Sequence, residues 1–93
     1  GITYETPQEL VREVPGIVTR IFEDIDTCRL DRVYFTTFGD SALIFEIVYF
    51  VESKDIKDYF SIKQDFGFAL MAMFAEVGID FAYPTQTIYT KAA

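Results

Sequence analysis

The chain contains no histidine, no tryptophan and no asparagine, and it has a single cysteine. Each absence removes a class of chemistry. Without histidine, and with one thiol, the usual zinc ligand sets cannot be assembled. Cys28 has no imidazole to draw off its proton, so it reads as a structural thiol and not as a nucleophile. No internal disulfide is possible, which excludes a small secreted scaffold held by cystines. Basic residues are also scarce, 8 Lys+Arg against 15 Asp+Glu, for a formal charge of −7. A surface of that sign repels phosphate backbones and anionic lipid heads, so neither nucleic-acid binding nor direct membrane contact is expected. Long hydrophobic runs are missing too. The most apolar window, Phe66–Val77, is roughly half the ~20 residues that a membrane span needs.

What is present suits one small domain with a real core. Hydrophobic residues make up 51% of the 93 positions, and 10 Phe and 6 Tyr supply the aromatics. A chain of this size buries only about 60–65% of its unfolded surface, so its stability margin is narrow. The chain opens on Gly1-Ile2-Thr3-Tyr4, already in a strand pattern and without an initiating methionine. Residues 1–93 therefore read as a single α/β domain excised from a larger protein.

Ile2–Glu5 alternates apolar and polar, as a short strand does. Thr6-Pro7-Gln8-Glu9 has the form of a capping box, with Thr6 at N-cap, Pro7 at N1 and Glu9 at N3. The helix it predicts, over about 7–24, presents Leu10, Val11, Val14, Ile17, Val18, Ile21 and Phe22 at helical spacing. Pro15-Gly16 interrupts it, which predicts a kink or two abutting helices. Leu30–Phe38 and Ser41–Val51 are β-rich, and Gly39-Asp40 between them signals a hairpin. Side-chain parity favours a three-residue loop or a bulge, either of which places Val33 and Phe35 on the face of Leu43, Phe45 and Ile47. Asp55 is placed to cap a second helix over 55–77, with Gly78 as its C′ residue. Tyr59, Ile62, Phe66, Leu70, Met73 and Val77 form its core stripe. Pro84 should hold Tyr83 extended and aim a last strand, Thr85–Tyr89, into the sheet. The resulting order is βαββαβ, an α+β ferredoxin-like fold with a four-stranded antiparallel sheet and two helices on one face.

Candidate chemistry is sparse. Glu23, Asp24, Asp26 and Asp31 cluster, but a calcium loop needs alternating oxygen ligands around a glycine turn, and that pattern is absent. No metal, cofactor or enzymatic turnover is expected. The topology also serves RNA-recognition modules that stack bases on an open sheet face, where Tyr34, Phe38 and Phe50 are candidates. The basic rim those modules need is missing. An acylphosphatase-type site would want an Arg and an Asn in its phosphate cradle, and the chain has no Asn. A small-molecule-sensing regulatory module remains the alternative function, with Gly39-Asp40 as its candidate loop. The second helix carries a further pattern, which a core stripe that wraps wide would explain easily at Phe60 and poorly at Phe68. Phe60, Phe68 and Met71, with Gln64 and Ala75 beside them, project away from its core stripe, and an exposed apolar strip of this kind marks a protein contact.

Several segments carry a family resemblance. They are Thr3-Tyr4-Glu5-Thr6, Asp31-Arg32, Phe38-Gly39-Asp40-Ser41-Ala42-Leu43, Phe45-Glu46, Tyr49-Phe50-Val51, and Gly78-Ile79-Asp80-Phe81-Ala82-Tyr83-Pro84-Thr85-Gln86-Thr87-Ile88-Tyr89. Over nearly its whole length the chain resembles the cytoplasmic C-terminal α/β domain of the small-conductance mechanosensitive channel (MscS) family. That resemblance implies a homo-oligomer, a heptamer in the family, on the cytoplasmic side of a membrane-embedded pore. It also implies that the domain is part of the wall of a hollow vestibule with side portals. The parent channel would release solutes when membrane tension rises under osmotic stress.

Overall fold

The computed structural model describes residues 1–82. Its elements run in the order α1 (Gln8–Glu23), β1 (Cys28–Phe38), β2 (Leu43–Val51) and α2 (Ile56–Val77). The fold is α+β, with two helices and a two-stranded antiparallel sheet. The expected last strand, Thr85–Tyr89, and Pro84 lie outside the described residues.

α1 forms because its apolar positions fall on one side. Val14, Ile17, Val18, Ile21 and Phe22 are all buried. Two expectations are refined here. Of the two outcomes expected at Pro15, abutting helices do not form, and the proline lies inside a single continuous helix. The apolar face on both sides of the proline, Val14 before it and Ile17 and Val18 after it, holds the helix together through the missing hydrogen bond. Thr6 is not the N-cap either. Pro7 occupies that position without a side-chain bond. The Thr6 hydroxyl turns back and donates to the Thr3 carbonyl at 2.7 Å. It thereby closes a turn at Thr3–Thr6, a local competitor that Ser and Thr side chains commonly satisfy.

The hairpin loop is four residues long, Gly39–Ala42, and Gly39 N–H closes it by donating to the Ala42 carbonyl at 2.8 Å. Register is restored by irregularities after Phe35 and after Leu30, which leave Val33 opposite Ile47 and Phe35 opposite Phe45. The face expected from parity is therefore correct, and bulges produce it. Glycine at 39 answers a close approach. A Cβ there would sit 2.9 Å from the Ala42 carbonyl oxygen and 3.1 Å from Ile44 Cγ1.

The expected first strand is reduced to one residue. Ile2 bridges Leu43 on one side and Phe81 on the other, both antiparallel. Thr3 N–H donates to the Asp80 carbonyl and Ala82 N–H to the Gly1 carbonyl, at 3.1 and 3.0 Å. Buried Ile2, Val14, Val18, Phe22, Val33, Leu43, Phe74 and Ile79 belong to a single core cluster. Phe22 stacks on Phe66 of α2 and meets Tyr49 of β2, with ring centroids at 4.8 and 5.0 Å. Both helices thus reach the same sheet face.

α2 begins and ends where the sequence places it. The Asp55 carboxylate accepts from Lys57 N–H at 2.9 Å. Gly78, at φ 86°, takes the left-handed C-terminal position, and its N–H and that of Ile79 both donate to the Phe74 carbonyl at 2.9 Å. A glycine has no Cβ to clash there, which is why it ends the helix.

Candidate interaction surface

At about 100° per residue, Phe60, Gln64, Phe68, Met71 and Ala75 fall within an arc of about 80° on α2. All five are exposed. The three large members are 57%, 63% and 61% exposed for Phe60, Phe68 and Met71. From Phe66 to Ala75 the helix carries no charged side chain at all. At the boundary between this strip and the core, Gly67 leaves a hollow of about 360 Å³ lined by Leu70, Met71 and Phe81. An added Cβ at Gly67 would meet no heavy atom within 4 Å.

Two residues beside the strip escaped the sequence reading. Phe74 was absent from the expected stripe, yet it is buried to 2% exposure and packs tilted against Phe81 at 4.9 Å between centroids. Tyr59, expected in the core, is 41% exposed and lies edge-on to Phe60. Phe81 itself follows the Gly78 turn in an alternating Ile79-Asp80-Phe81 pattern, and this was the signal available for it.

The remaining candidates separate from one another. Asp24, Asp26, Asp58 and Asp65 line an open depression with Thr27 and Ser61. Asp31 is elsewhere, paired with Arg32 at 2.8 Å. Among the described residues no group of three or more His, Cys, Asp or Glu converges on a possible metal position. Tyr34 and Phe50 are exposed, and the Arg29 guanidinium sits 5.0 Å over the Phe50 ring. Phe38 does not join them. It pairs with buried Leu43 and packs edge-on against Phe35, which puts it on the helix side of the hairpin. Asp40 is exposed in the hairpin loop, and the Tyr4 hydroxyl donates to the Gly39 carbonyl beside it.

Cys28 is half-buried, with its thiol toward the Ile25 carbonyl at 3.8 Å. Burial, and then the nearby Glu52 carboxylate, push that thiol up from its ordinary pKa. Alkylation of Cys28 by iodoacetamide at neutral pH is therefore expected to run several-fold slower than that of a free thiol, and to catch up on unfolding. A rate above that of the free thiol would contradict this. The folded thiol holds its proton more tightly than the unfolded one. Its contribution to stability is intact below the unfolded value of about 8.5 and is lost as pH rises through the folded value.

The family profile described as mechanosensitive ion channel MscS, C-terminal, matches residues 1–81. The chain belongs to the MscS family. Among curated relatives, this MscS-family domain is 31% identical to the large-conductance mechanosensitive channel MscMJLR of Methanocaldococcus jannaschii, over 98% of the chain and 27% of the relative. It is also 31% identical to the small-conductance mechanosensitive channel MscMJ of the same organism, over 98% of the chain and 26% of the relative. The low conductance mechanosensitive channel YnaI of Escherichia coli is 27% identical, over 96% of the chain and 24% of the relative. The chain thus spans about a quarter of the length of the relatives it matches. No solved structure matches it. Among the described residues, no helix is long and apolar enough to cross a membrane.

Proposed function

We propose that this domain is a wall segment of the cytoplasmic vestibule of an MscS-like channel, where it holds neighbouring subunits together while solutes leave through the pore under osmotic stress. The observation that carries the reading is the uncharged line of Phe60, Phe68 and Met71 on α2, exposed in a chain whose family is that of mechanosensitive channels. Apolar side chains of this size, aligned on one face and left in water, are stabilised by a protein partner. A second copy is the partner that a homo-oligomeric channel supplies. In the same reading the sheet is four-stranded and ferredoxin-like, with Thr85–Tyr89 continuing it. The order of bridged neighbours, Phe81, Ile2, β2 and β1, supports that arrangement, since a ferredoxin-like sheet has its first strand between its last and its third.

The test is Phe68→Asp. In the full-length channel it is expected to abolish most inter-subunit crosslinking of the cytoplasmic part. The isolated domain should keep its circular dichroism and its melting temperature to within a few degrees, because a surface substitution is worth about 0.5 kcal/mol. Unfolding of the isolated domain would make Phe68 a core residue and end the reading.

A further inference from the structure

We propose that neighbouring copies meet head-to-tail, with the Phe35–Phe38 pair at the outer edge of β1, unpaired among the described residues, seated in the Gly67 hollow on α2 of the next copy. This rests on the reading that copies of the domain assemble, and it names the two surfaces involved.

The argument starts from one row of the sheet. Phe38 pairs with Leu43, Leu43 with Ile2, and Ile2 with Phe81. Phe38 and Phe81 are therefore the two ends of a single row, about 14 Å apart at the usual strand spacing. Phe81 lines the hollow, together with Gly67, Leu70 and Met71. A knob and a hollow thus stand at the same level on opposite edges of the described sheet. Displacing a copy along the row brings the knob of one to the hollow of the next without a vertical offset. A contact between two different patches is heterologous, and it closes a ring when each copy is also rotated about a common axis by a whole fraction of a turn.

Exposure and charge fit the same pair of surfaces. Phe38 is 74% exposed, the highest among the large apolar side chains of the described residues, and among those residues its one ring neighbour is Phe35. Nothing charged lies between Val33 and Gly39, or between Phe66 and Ala75. In a chain carrying −7, these are stretches where an identical copy can approach with least repulsion. The area is modest. At about 150–250 Å² per aromatic ring, the exposed parts of Phe35 and Phe38 offer roughly 200 Å², with a similar amount from Phe68 and Met71. That is well short of the ~800 Å² per partner of a standard interface. The contact is accordingly weak between free domains, and it forms where the pore tethers the copies at high effective concentration.

Cysteine crosslinking in the full-length channel, with Cys28→Ser as background, tests the pairing. Phe38→Cys and Met71→Cys together are expected to give a ladder of linked copies under mild oxidation, while neither substitution alone does. Adding Gly67→Leu to the pair should remove the ladder. A Cβ at that position meets no heavy atom of its own copy within 4 Å, so the new side chain has room to compete for the hollow. Linkage through Met71→Cys alone would show α2 meeting α2, which overturns the head-to-tail contact and leaves assembly standing. No linkage in any combination would overturn both. A lowered melting temperature of the domain carrying Gly67→Leu would mean that the hollow belongs to the packing of a single copy, which also overturns the proposal.

Discussion

Phe74→Ala is expected to cost about 3–5 kcal/mol, the usual range for removing a buried phenylalanine. Phe74 is 2% exposed, packs tilted against Phe81 and closes the core from the α2 side with Ile2 and Val14 in the same cluster. Alanine would leave a cavity between a helix and the bridge that joins Ile2 to Phe81, and neither can collapse into it without breaking backbone hydrogen bonds. Domains have about 5–15 kcal/mol in total, and a chain this short belongs near the low end. The variant should therefore retain only a small part of its stability. With a urea slope of about 1–2 kcal/mol per molar, the midpoint should fall by about 2 M or more. A fall below about 0.5 M would mean that the ring contributes little and that α2 is held by its other core contacts, Ile62, Phe66, Leu70 and Met73 among them.

The failure to find Phe74 in the sequence has a physical cause. A stripe drawn at spacings of three and four through Tyr59, Ile62, Phe66, Leu70, Met73 and Val77 places Phe74 about 80° from its centre. α2 is apolar over most of its circumference between Phe66 and Ala75, so periodicity alone does not settle which side is covered. What settles it is Phe81, which reaches Phe74 only after the chain has turned at Gly78. The same logic explains Tyr59, which lies toward the end of α2 away from that turn and is half in water. Local chemistry was more legible. Asp55 and Gly78 mark the ends of α2 through bonds made within a few residues. In the hairpin, one buried face fixed which residues pair and left a three-residue loop or a bulge open, while the four-residue loop and the positions of the two bulges were not legible. Thr6 misled for the converse reason, since the Thr3 carbonyl competes for its hydroxyl at the same short range. Of the interaction surface, the outward strip Phe60, Phe68 and Met71 was readable from helical angle. The hollow beside it was not, because it depends on Phe81 closing one wall.

Pro15 offers a test in the opposite direction, and Pro15→Ala is expected to stabilise the domain. In a continuous helix the amide of residue 15 would donate to the Val11 carbonyl, and proline has no proton to give. A proline in a helix interior is about 3 kcal/mol less favourable than alanine. Part of that gain is offset, because alanine frees the unfolded chain by about 0.4–1 kcal/mol. A further part is lost because the half-buried ring already packs against its neighbours. The Thr19 hydroxyl donates to the Pro15 carbonyl at 2.8 Å, and this bond survives the change because it uses only the backbone of residue 15. The net gain should be about 1–2 kcal/mol, which for a domain of this size raises the melting temperature by about 5–10 °C. Hydrogen exchange should show the gain within α1, at the amides around Pro15, and should leave the hairpin at Gly39 unchanged. If the variant melts lower instead, the ring of Pro15 contributes more to the packing of Val14, Ile17 and Val18 than the missing hydrogen bond costs. The proline would then be a shaping element of α1, required for its fit against β1.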